Sequence, residues 1–331
     1  MKLPAIVTSD LHLTANPRDA YRWELFPWLV TQCKQHKVKT LLILGDLTDA
    51  KDFHSSTLVN QVADALNMLT DYVEEIIILM GNHDYLKNGE AFFQFLNHHP
   101  QIRFITKIAD GEDGVLYLPH SKEPSMDWDH LDLMDYDYIF MHQTVDGSVS
   151  ENGQKMSSSL SSKVNTKALV FSGDIHVPQV IGDIMYVGSP YPVRFGDTFK
   201  ARCLLVQSGF RLNDLYFETI KRAMLDIDNA DQLRASGLCK GDQAKIRINL
   251  TTSNNHVWHT VRREVEEAAK EMEVEIVSLE LKPIKNRKQL YSGRQNGKTL
   301  SHEQRVMSFV EDQDLGGDLL DAGLDIVEGK K

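Results

Sequence analysis

The segment FSGDIHVPQ, residues 171–179, begins as an apolar strand and ends in Asp174, one spacer residue and His176. The same order, an apolar run, then Gly or Ser, then side chains able to bind a metal, recurs along the chain. In chain order the predicted strand ends carry Asp10 and His12 after AIVTS, Asp46 after LLILG, Asn82, His83 and Asp84 after IILMG, His142 after YIFM, and Asp174 and His176 after LVFSG. Because open α/β sheets bind ligands beyond the carboxyl ends of their strands, we expect these side chains to meet in one cleft.

Such a cleft would contain a mixed set of oxygen and nitrogen donors. Carboxylates, an amide and imidazoles suit divalent Mn, Fe, Zn or Mg. These are more ligands than one ion would use. Their number fits two ions about 3.5–4 Å apart that share a carboxylate and together bind a phosphoryl group. Each motif alone has a simpler explanation, since Gly-Asp after a strand is common turn chemistry and a single buried histidine such as His142 is usually a core residue. The repetition favours the metal site.

The order of predicted elements indicates an α/β core. Apolar strands alternate with helical segments at about 21–35, 56–72 and 90–96, and the near-continuous apolar character of the strands indicates a sheet covered on both faces. The later strands, GVLYLPH, YIFMH, ALVFSG, IMYVGS and RCLLVQ, follow one another more closely. They predict a second, more antiparallel sheet that packs on the first.

The last third of the chain predicts a separate small domain and a tail. The apolar pattern loosens at 221–238, and a β-α-β unit follows in DQAKIRINL, VWHTVRREVEEAAKEM and EVEIVSLEL. The segment KPIKNRKQLYSGRQNGK, residues 282–298, has basic and turn residues but no acid, and two apolar stripes with helical spacing come after it. We therefore predict domains at 1–220 and 221–283, then a basic linker and C-terminal helices at 284–331.

Composition limits the class of protein. The chain has 36 Lys and Arg against 47 Asp and Glu, a net charge of −11, so any contact with nucleic acid must be local. No apolar run approaches the length of a membrane helix, and the N terminus lacks the features of a signal peptide. The three cysteines have no CxxC spacing, as in reduced proteins, so we expect a cytoplasmic protein without membrane contact.

The motifs SDLHL, LGDLTD, MGNHDY, FMHQ and SGDIH, in this order, resemble the calcineurin-like metallophosphoesterase superfamily. FMHQ and the later YVGSPYPVRFGD further resemble the SbcD-type nuclease subunit of DNA repair. The resemblance implies a four-layer α/β/β/α sandwich with a capping domain, and two divalent ions, Mn²⁺ first, with Mg²⁺, Fe²⁺ and Zn²⁺ as alternatives. It also implies exonuclease and endonuclease activity in DNA repair or recombination, an SMC-like ATPase partner of SbcC type, and homodimers. The short chain resembles phage-encoded members, which would act in the host cytoplasm.

Position by position, the resemblance also implies roles for the strand-end residues. One ion would be held by Asp10, His12, Asp46 and His176, and the other by Asp46, Asn82, His142 and Asp174. Asp46 would bridge the two ions. His83 would face the phosphate and stabilise the transition state or protonate the leaving oxygen, and Asp84 would orient the ring of His83.

Two positions depart from the family's pattern. The family has a histidine where Asp174 stands, and this carboxylate is either a direct ligand or an acceptor for a neighbouring histidine. As a ligand it lowers the net charge of the site from about +2 to about +1, which favours Mn²⁺ or Mg²⁺ over Zn²⁺. The nuclease branch also has a histidine that positions the DNA phosphate where this chain has Asp49, and GDLTD occurs in relatives that hydrolyse cyclic nucleotides.

Three functions therefore follow from the sequence. A DNA nuclease is the first, and a phosphodiesterase for cyclic nucleotides or other nucleotides is the alternative. A non-catalytic assembly subunit is the third, and it conflicts with the presence of a metal-binding side chain at every expected ligand position.

Cations in two places are candidate DNA contacts. Lys285, Arg287 and Lys288 lie in the basic segment, which is either a strap that contacts phosphates or a solvated linker. Arg194, in YPVRFGD, either reaches a substrate phosphate or pairs with Asp197. The apolar stripes of the tail either pack on the chain's own core or bind the ATPase partner.

Overall fold

The computed structural model describes residues 1–86, 89–250 and 255–282, together with two short strands at Arg294–Gln295 and Lys298–Thr299. The chain divides into two compact units, residues 1–219 and 220–331. None of the helices in these described ranges is both long and apolar enough to cross a lipid bilayer. Lys285, Arg287, Lys288 and the predicted tail helices lie outside the described residues.

The first unit alternates strands and helices. Its strands are β1 (Ala5–Thr8), β2 (Thr40–Ile43), β3 (Glu75–Leu79), β4 (Ile102–Ile105), β5 (Ala109–Asp110), β6 (Val115–Leu118), β7 (Tyr138–His142), β8 (Leu169–Gly173), β9 (Gln179–Ile181), β10 (Ile184–Tyr186), β11 (Cys203–Gln207) and β12 (Arg211–Leu215). Its helices are α1 (Leu25–His36), α2 (Ser56–Thr70) and the short α3 (Pro124–Asp127), with 3₁₀ helices at Pro17–Glu24 and Phe92–His98. The side chain of Ser55 caps α2 by accepting a hydrogen bond from the N–H of Leu58.

These strands form two mixed sheets of six strands each. The first has the order β12-β11-β1-β2-β3-β4. Strands β1 to β4 are parallel to one another, and β11 is antiparallel to both of its neighbours, β1 and β12. The second has the order β5-β6-β7-β8-β10-β9, in which only the edge strands β5 and β9 are antiparallel. The first unit is therefore a mixed α/β fold with two sheets.

The prediction of a more antiparallel second sheet is wrong. Its central strands are parallel, and RCLLVQ, which is β11, pairs with β1 of the first sheet. The crossovers at 119–137 and 143–168 are irregular chain with the short α3, instead of long helices. The strand–helix alternation that marks parallel strands is therefore missing from the sequence.

A shared core joins the two sheets and sets the position of the site. Val7, Leu42 and Leu79 of the first sheet lie in one buried cluster with Tyr117 and Phe140 of the second. Because β1, β2 and β3 are parallel and in register, their carboxyl ends lie at one edge of the first sheet, and those of β7 and β8 lie together in the second.

The second unit is built on a three-stranded parallel sheet, order β13-β14-β15. The elements are β13 (Arg222–Ile227), α4 (Ala230–Arg234), β14 (Gln243–Ile248), α5 (Asn255–Glu271) and β15 (Glu275–Leu281), followed by the antiparallel pair β16 (Arg294–Gln295) and β17 (Lys298–Thr299). The sequence predicted β14, α5 and β15 but missed β13 and α4. RAMLDI is an edge strand that begins with Arg222 and interrupts its apolar residues with Asp226, so its pattern is weak.

Candidate metal centre

The backbone turns sharply at the strand ends that carry the predicted ligands. Asp10, His12, Asp46 and Asp174 have positive φ angles of 55°, 44°, 52° and 78°. L-residues rarely adopt this left-handed conformation, and such strain is concentrated at functional sites. The turns place each side chain at the edge of its sheet.

Glycine precedes these ligands because other side chains pack against its α-carbon. A Cβ on Gly45, which also has a φ of 87°, would lie 2.2 Å from Nδ1 of His142. A Cβ on Gly81 would lie 2.3 Å from Oδ1 of Asp46. No heavy atom tolerates such distances, so a larger residue at either position would displace a neighbouring ligand. This close approach explains the Gly in the repeated sequence pattern.

Six predicted side chains from five strand ends meet in three overlapping groups. In each group the donor atoms lie within 4.8 Å of one another, and the groups are Asp10, His12 and His176; His12, Asp46 and His83; and Asp10, Asp46 and His142. Nε2 of His12 lies 3.0 Å from Nε2 of His176. Except for the half-buried His83, all of these residues are buried. Several acids and imidazoles without bulk solvent around them are a costly arrangement unless a cation compensates them.

Asp46 lies between two sets of donors. Its Oδ2 is 3.6 Å from Nε2 of His12, and its Oδ1 is 3.5 Å from Nε2 of His142. Burial raises the pKa of Asp46, but His142, His12 and His83 outweigh burial and lower it below the ordinary value. The carboxylate is therefore charged, and its two oxygens face different histidines.

Oxygen atoms on the side away from the centre orient two of its histidine rings. Nδ1 of His142 donates a hydrogen bond to the carbonyl of Leu44, because a carbonyl oxygen can only accept. When the ring is neutral, as a metal ligand must be, the lone pair of Nε2 faces the centre. Nδ1 of His12 similarly lies 3.4 Å from Oδ1 of Asp49. Histidines that bind metals are usually held in this way by an oxygen on the far side of the ring.

A divalent cation fits this set of donors. Within the described residues, Oδ1 of Asn82 and Nε2 of His142 are buried without a hydrogen-bond partner, although buried polar atoms normally have one. Burial lowers the pKa of His142, yet Asp46, Asp10 and Asp174 outweigh it and raise the value to about 9. The cleft thus attracts positive charge and offers unpaired ligand atoms.

Glu151 contacts the centre, and the sequence pattern does not predict it. Its Oε1 lies 2.5 Å from Nδ1 of His176, and the hydrogen bond to His176 lowers the pKa of Glu151 to about 2 despite partial burial. The segment SENGQK, residues 150–155, follows no strand end and resembles an ordinary turn, so nothing local marks Glu151. Only the fold brings it to His176.

Arg194 lies next to this pair. Its guanidinium is 3.9 Å from Oε2 of Glu151 and mostly exposed. Asp197, the expected ion-pair partner, instead accepts hydrogen bonds from the backbone N–H groups of Val193 and Arg194. Arg194 therefore contacts Glu151 and does not form the ion pair with Asp197 that was the alternative. Its guanidinium lies at the rim of the centre.

Asp174 faces the same space as His142. Its Oδ1 lies 3.7 Å from Nε2 of His142, its Oδ2 accepts a hydrogen bond from the hydroxyl of Thr144, and its N–H donates to Oδ1 of Asp10 at 3.2 Å. Because the Leu44 carbonyl already occupies Nδ1 of His142, Asp174 is not needed to orient that ring.

The prediction that Asp84 orients the ring of His83 is wrong. The carboxylate of Asp84 is fully buried and accepts hydrogen bonds from the backbone N–H groups of Asp46 at 3.0 Å, Leu47 at 3.2 Å and Gly81 at 2.7 Å. Burial, followed by the charge of Asp46, raises the pKa of Asp84 to about 7. Asp84 turns inward because the loops after β2 and β3 have amides that need an acceptor.

Asp49 holds His83 instead. Nδ1 of His83 donates to the backbone carbonyl of Asp49 at 2.8 Å, which leaves Nε2 for a substrate. The N–H of His83 donates to Oδ1 of Asp46 at 2.8 Å. Asp49 thus contacts His83 through its carbonyl and His12 through its carboxylate.

Residues 3–178 match the family model of the calcineurin-like phosphoesterases. The match spans more than half of the 331 residues and contains every predicted ligand. No curated protein matches the chain. The chain belongs to the calcineurin-like phosphoesterase family, and its buried group of donors is that of a metal-dependent phosphoesterase.

Proposed function

We propose that this calcineurin-like phosphoesterase uses two divalent ions to hydrolyse phosphodiester bonds of DNA, as an exonuclease and an endonuclease. The observation that carries the proposal is the placement of Asp46, whose carboxylate oxygens face His12 on one side and His142 on the other. One carboxylate between two sets of donors suits a pair of ions that share it.

Seven residues would hold the ions in two sets. The first set is Asp10, His12, Asp46 and His176, and the second is Asp46, Asn82, His142 and Asp174. When bound, divalent ions stabilise charge on the phosphoryl oxygens and acidify water. The position of Asp174 beside the free Nε2 of His142 supports direct ligation. Three carboxylates then contribute to the site, which favours Mn²⁺ or Mg²⁺ over Zn²⁺.

His83 is the residue that would act on the substrate. Its ring is fixed by the carbonyl of Asp49, so Nε2 is the nitrogen available to the phosphate. In hydrolysis, a water oxygen forms a bond to phosphorus and releases a proton to solvent while the bond to the leaving oxygen breaks. Burial lowers the pKa of His83, and the negative charge of a bound phosphate would raise it again. In its protonated form His83 would stabilise the charge that develops, give its proton to the leaving oxygen and then regain a proton from solvent.

DNA is proposed as the substrate on the basis of the nuclease-like motifs FMHQ and YVGSPYPVRFGD. The second unit would act as the capping domain, with Lys285, Arg287 and Lys288 as phosphate contacts and Arg194 at the rim of the centre. The same resemblance supports a four-layer sandwich, an SMC-like ATPase partner that the tail would bind, homodimers, and a role in DNA repair or recombination as a phage-type nuclease.

The proposal is tested with a panel of substrates and Mn²⁺. Purified protein is incubated with linear DNA, single-stranded DNA and a set of cyclic nucleotides, and His83→Ala serves as the comparison. We expect degradation of DNA, and a decrease of about 10²–10⁴-fold in the His83→Ala variant, the usual contribution of a general acid. Hydrolysis of cyclic nucleotides alone would contradict the nuclease function and leave the phosphodiesterase in place.

The ATPase partner has a separate test. A variant that ends at Lys298 lacks the predicted tail helices, so it should no longer co-purify with its ATPase. Retention of the ATPase by that variant would contradict the proposed role of the tail.

A further inference from the structure

A cleft of about 530 Å³ opens next to the metal centre, and the proposed mechanism uses none of its side chains. It is lined by Tyr85, by the loops that follow β4 and β6 at Thr106–Ile108 and Pro119–Lys122, and by Asp127 and Trp128 at the end of α3. This volume lies within the range of small-molecule binding pockets.

The lining combines aromatic rings and two lysines with one carboxylate, that of Asp127, which accepts a hydrogen bond from the hydroxyl of Ser121. Trp128 is half-buried, and Tyr85 supplies a second ring. Lys107 and Lys122 are exposed, and Nζ of Lys122 lies 6.0 Å from the ring centroid of Tyr85. In the described part of the chain neither ammonium group forms an ion pair. Two unpaired lysines at one cleft stand out in a chain of net charge −11.

The wall of the cleft is tied to the metal centre. Tyr85 directly follows Asp84, and its hydroxyl donates to the carbonyl of His120 at 2.7 Å. The N–H of His120 donates to the carbonyl of Met80 at 2.8 Å, just before the MGNHD loop. The rings of His120 and His142 have centroids 6.1 Å apart. The cleft therefore lies beside the metal centre, close enough for neighbouring nucleotides of one strand to occupy both.

We propose that this cleft binds an unpaired nucleotide of the DNA strand next to the bond that is cut, an inference that rests on the proposed nuclease function. The base would stack on Trp128, since every base offers an apolar π-face, and a phosphate would lie near Lys107 and Lys122. A base inside a duplex has both faces covered by its neighbours. The cleft therefore selects single-stranded ends or segments over intact duplex.

Binding to a short strand tests the cleft without requiring catalysis. A fluorescein-labelled single-stranded octanucleotide is titrated with protein in EDTA, and its anisotropy is measured. Loss of one base-stacking contact costs about 10-fold in affinity, so Trp128→Ala should raise Kd by about 10-fold and Trp128→Phe by much less. The double variant Lys107→Ala/Lys122→Ala should weaken binding about 10-fold and reduce its salt dependence.

Two controls make the result specific. Lys163→Ala/Lys167→Ala removes two exposed lysines that do not line the cleft, and it should bind like the wild type. An octanucleotide with abasic sites should bind the wild type about as weakly as the normal strand binds Trp128→Ala, with no further loss in that variant.

Equal affinity of the wild type and Trp128→Ala for the normal strand would overturn the proposal. Because Trp128 packs partly on the core, Trp128→Ala could fail to fold, and the abasic strand then provides the test with the wild type. Equal affinity of the wild type for the normal and the abasic strand would also overturn the proposal. Failure of wild-type protein to cut DNA with Mn²⁺ would instead contradict the proposed function, so the two failures are distinguishable.

Discussion

The contact between Glu151 and His176 predicts that a residue outside the ligand set controls metal affinity. Oε1 of Glu151 lies 2.5 Å from Nδ1 of His176, and this contact holds the pKa of Glu151 at about 2. The charge of the carboxylate fixes the ring and makes Nε2 a stronger donor. The substitution Glu151→Gln keeps the size of the side chain and removes its charge.

Loss of such a carboxylate typically weakens metal binding about 10- to 100-fold. Glu151 is only partly buried and Arg194 shares its charge, so the lower end, about 10-fold or 1.4 kcal/mol, is expected here. Only one of the two ions has His176 as a ligand in the proposed arrangement. The weakening should therefore appear in one of two binding events.

Isothermal titration of the metal-free protein with Mn²⁺ measures both events, and the Mn²⁺ concentration that supports half-maximal hydrolysis provides a second readout. Glu218→Gln is the matched control, because Glu218 is exposed and lies outside the centre. Its Mn²⁺ affinity should equal that of the wild type. Wild-type affinity for both ions in Glu151→Gln would refute the assignment of Glu151 as the residue that holds His176.

Three further predictions follow from the centre. Asp174→His should raise activity with Zn²⁺ relative to Mn²⁺, because it removes one anionic ligand, and an unchanged metal preference in a kinetic comparison would contradict direct ligation by Asp174. Asp84→Ala leaves three buried amides without their acceptor and should lower the free energy of unfolding by about 3 kcal/mol in urea denaturation, whereas a loss below about 0.5 kcal/mol would contradict this role. In the metal-free protein the pKa of His142 is raised from 6.5 to about 9, so its stabilisation is complete below pH 6.5 and is lost as pH rises to 9. Tm should therefore fall across this window, and His142→Asn should lack that part of the fall.

The sequence alone predicted the parts of the site that depend on local pattern. The ligand positions can be recognised in the sequence because the strand end, the closely packed glycine and the donor side chain occupy adjacent positions, as in LLILGD. Asp10, His12, Asp46, His142 and His176 accordingly lie together in the structure.

What the sequence did not predict depends on contacts between distant segments. Glu151 reaches His176 through a loop without regular pattern, and Asp84 accepts from amides of a different strand-end loop. The hydrogen-bond partner of a buried carboxylate is set by which amides lack an acceptor, and this is a property of the folded loops. Likewise, the pairing of β11 with β1 of the first sheet was not predicted, because pairing of distant strands leaves no local mark in RCLLVQ.

Anomalous scattering from crystals soaked in Mn²⁺ tests the central claim most directly. Two manganese peaks about 3.5–4 Å apart, with the carboxylate of Asp46 between them, are the predicted result. A single peak, or none beside Asp46, would contradict the shared-carboxylate centre on which the proposed chemistry depends.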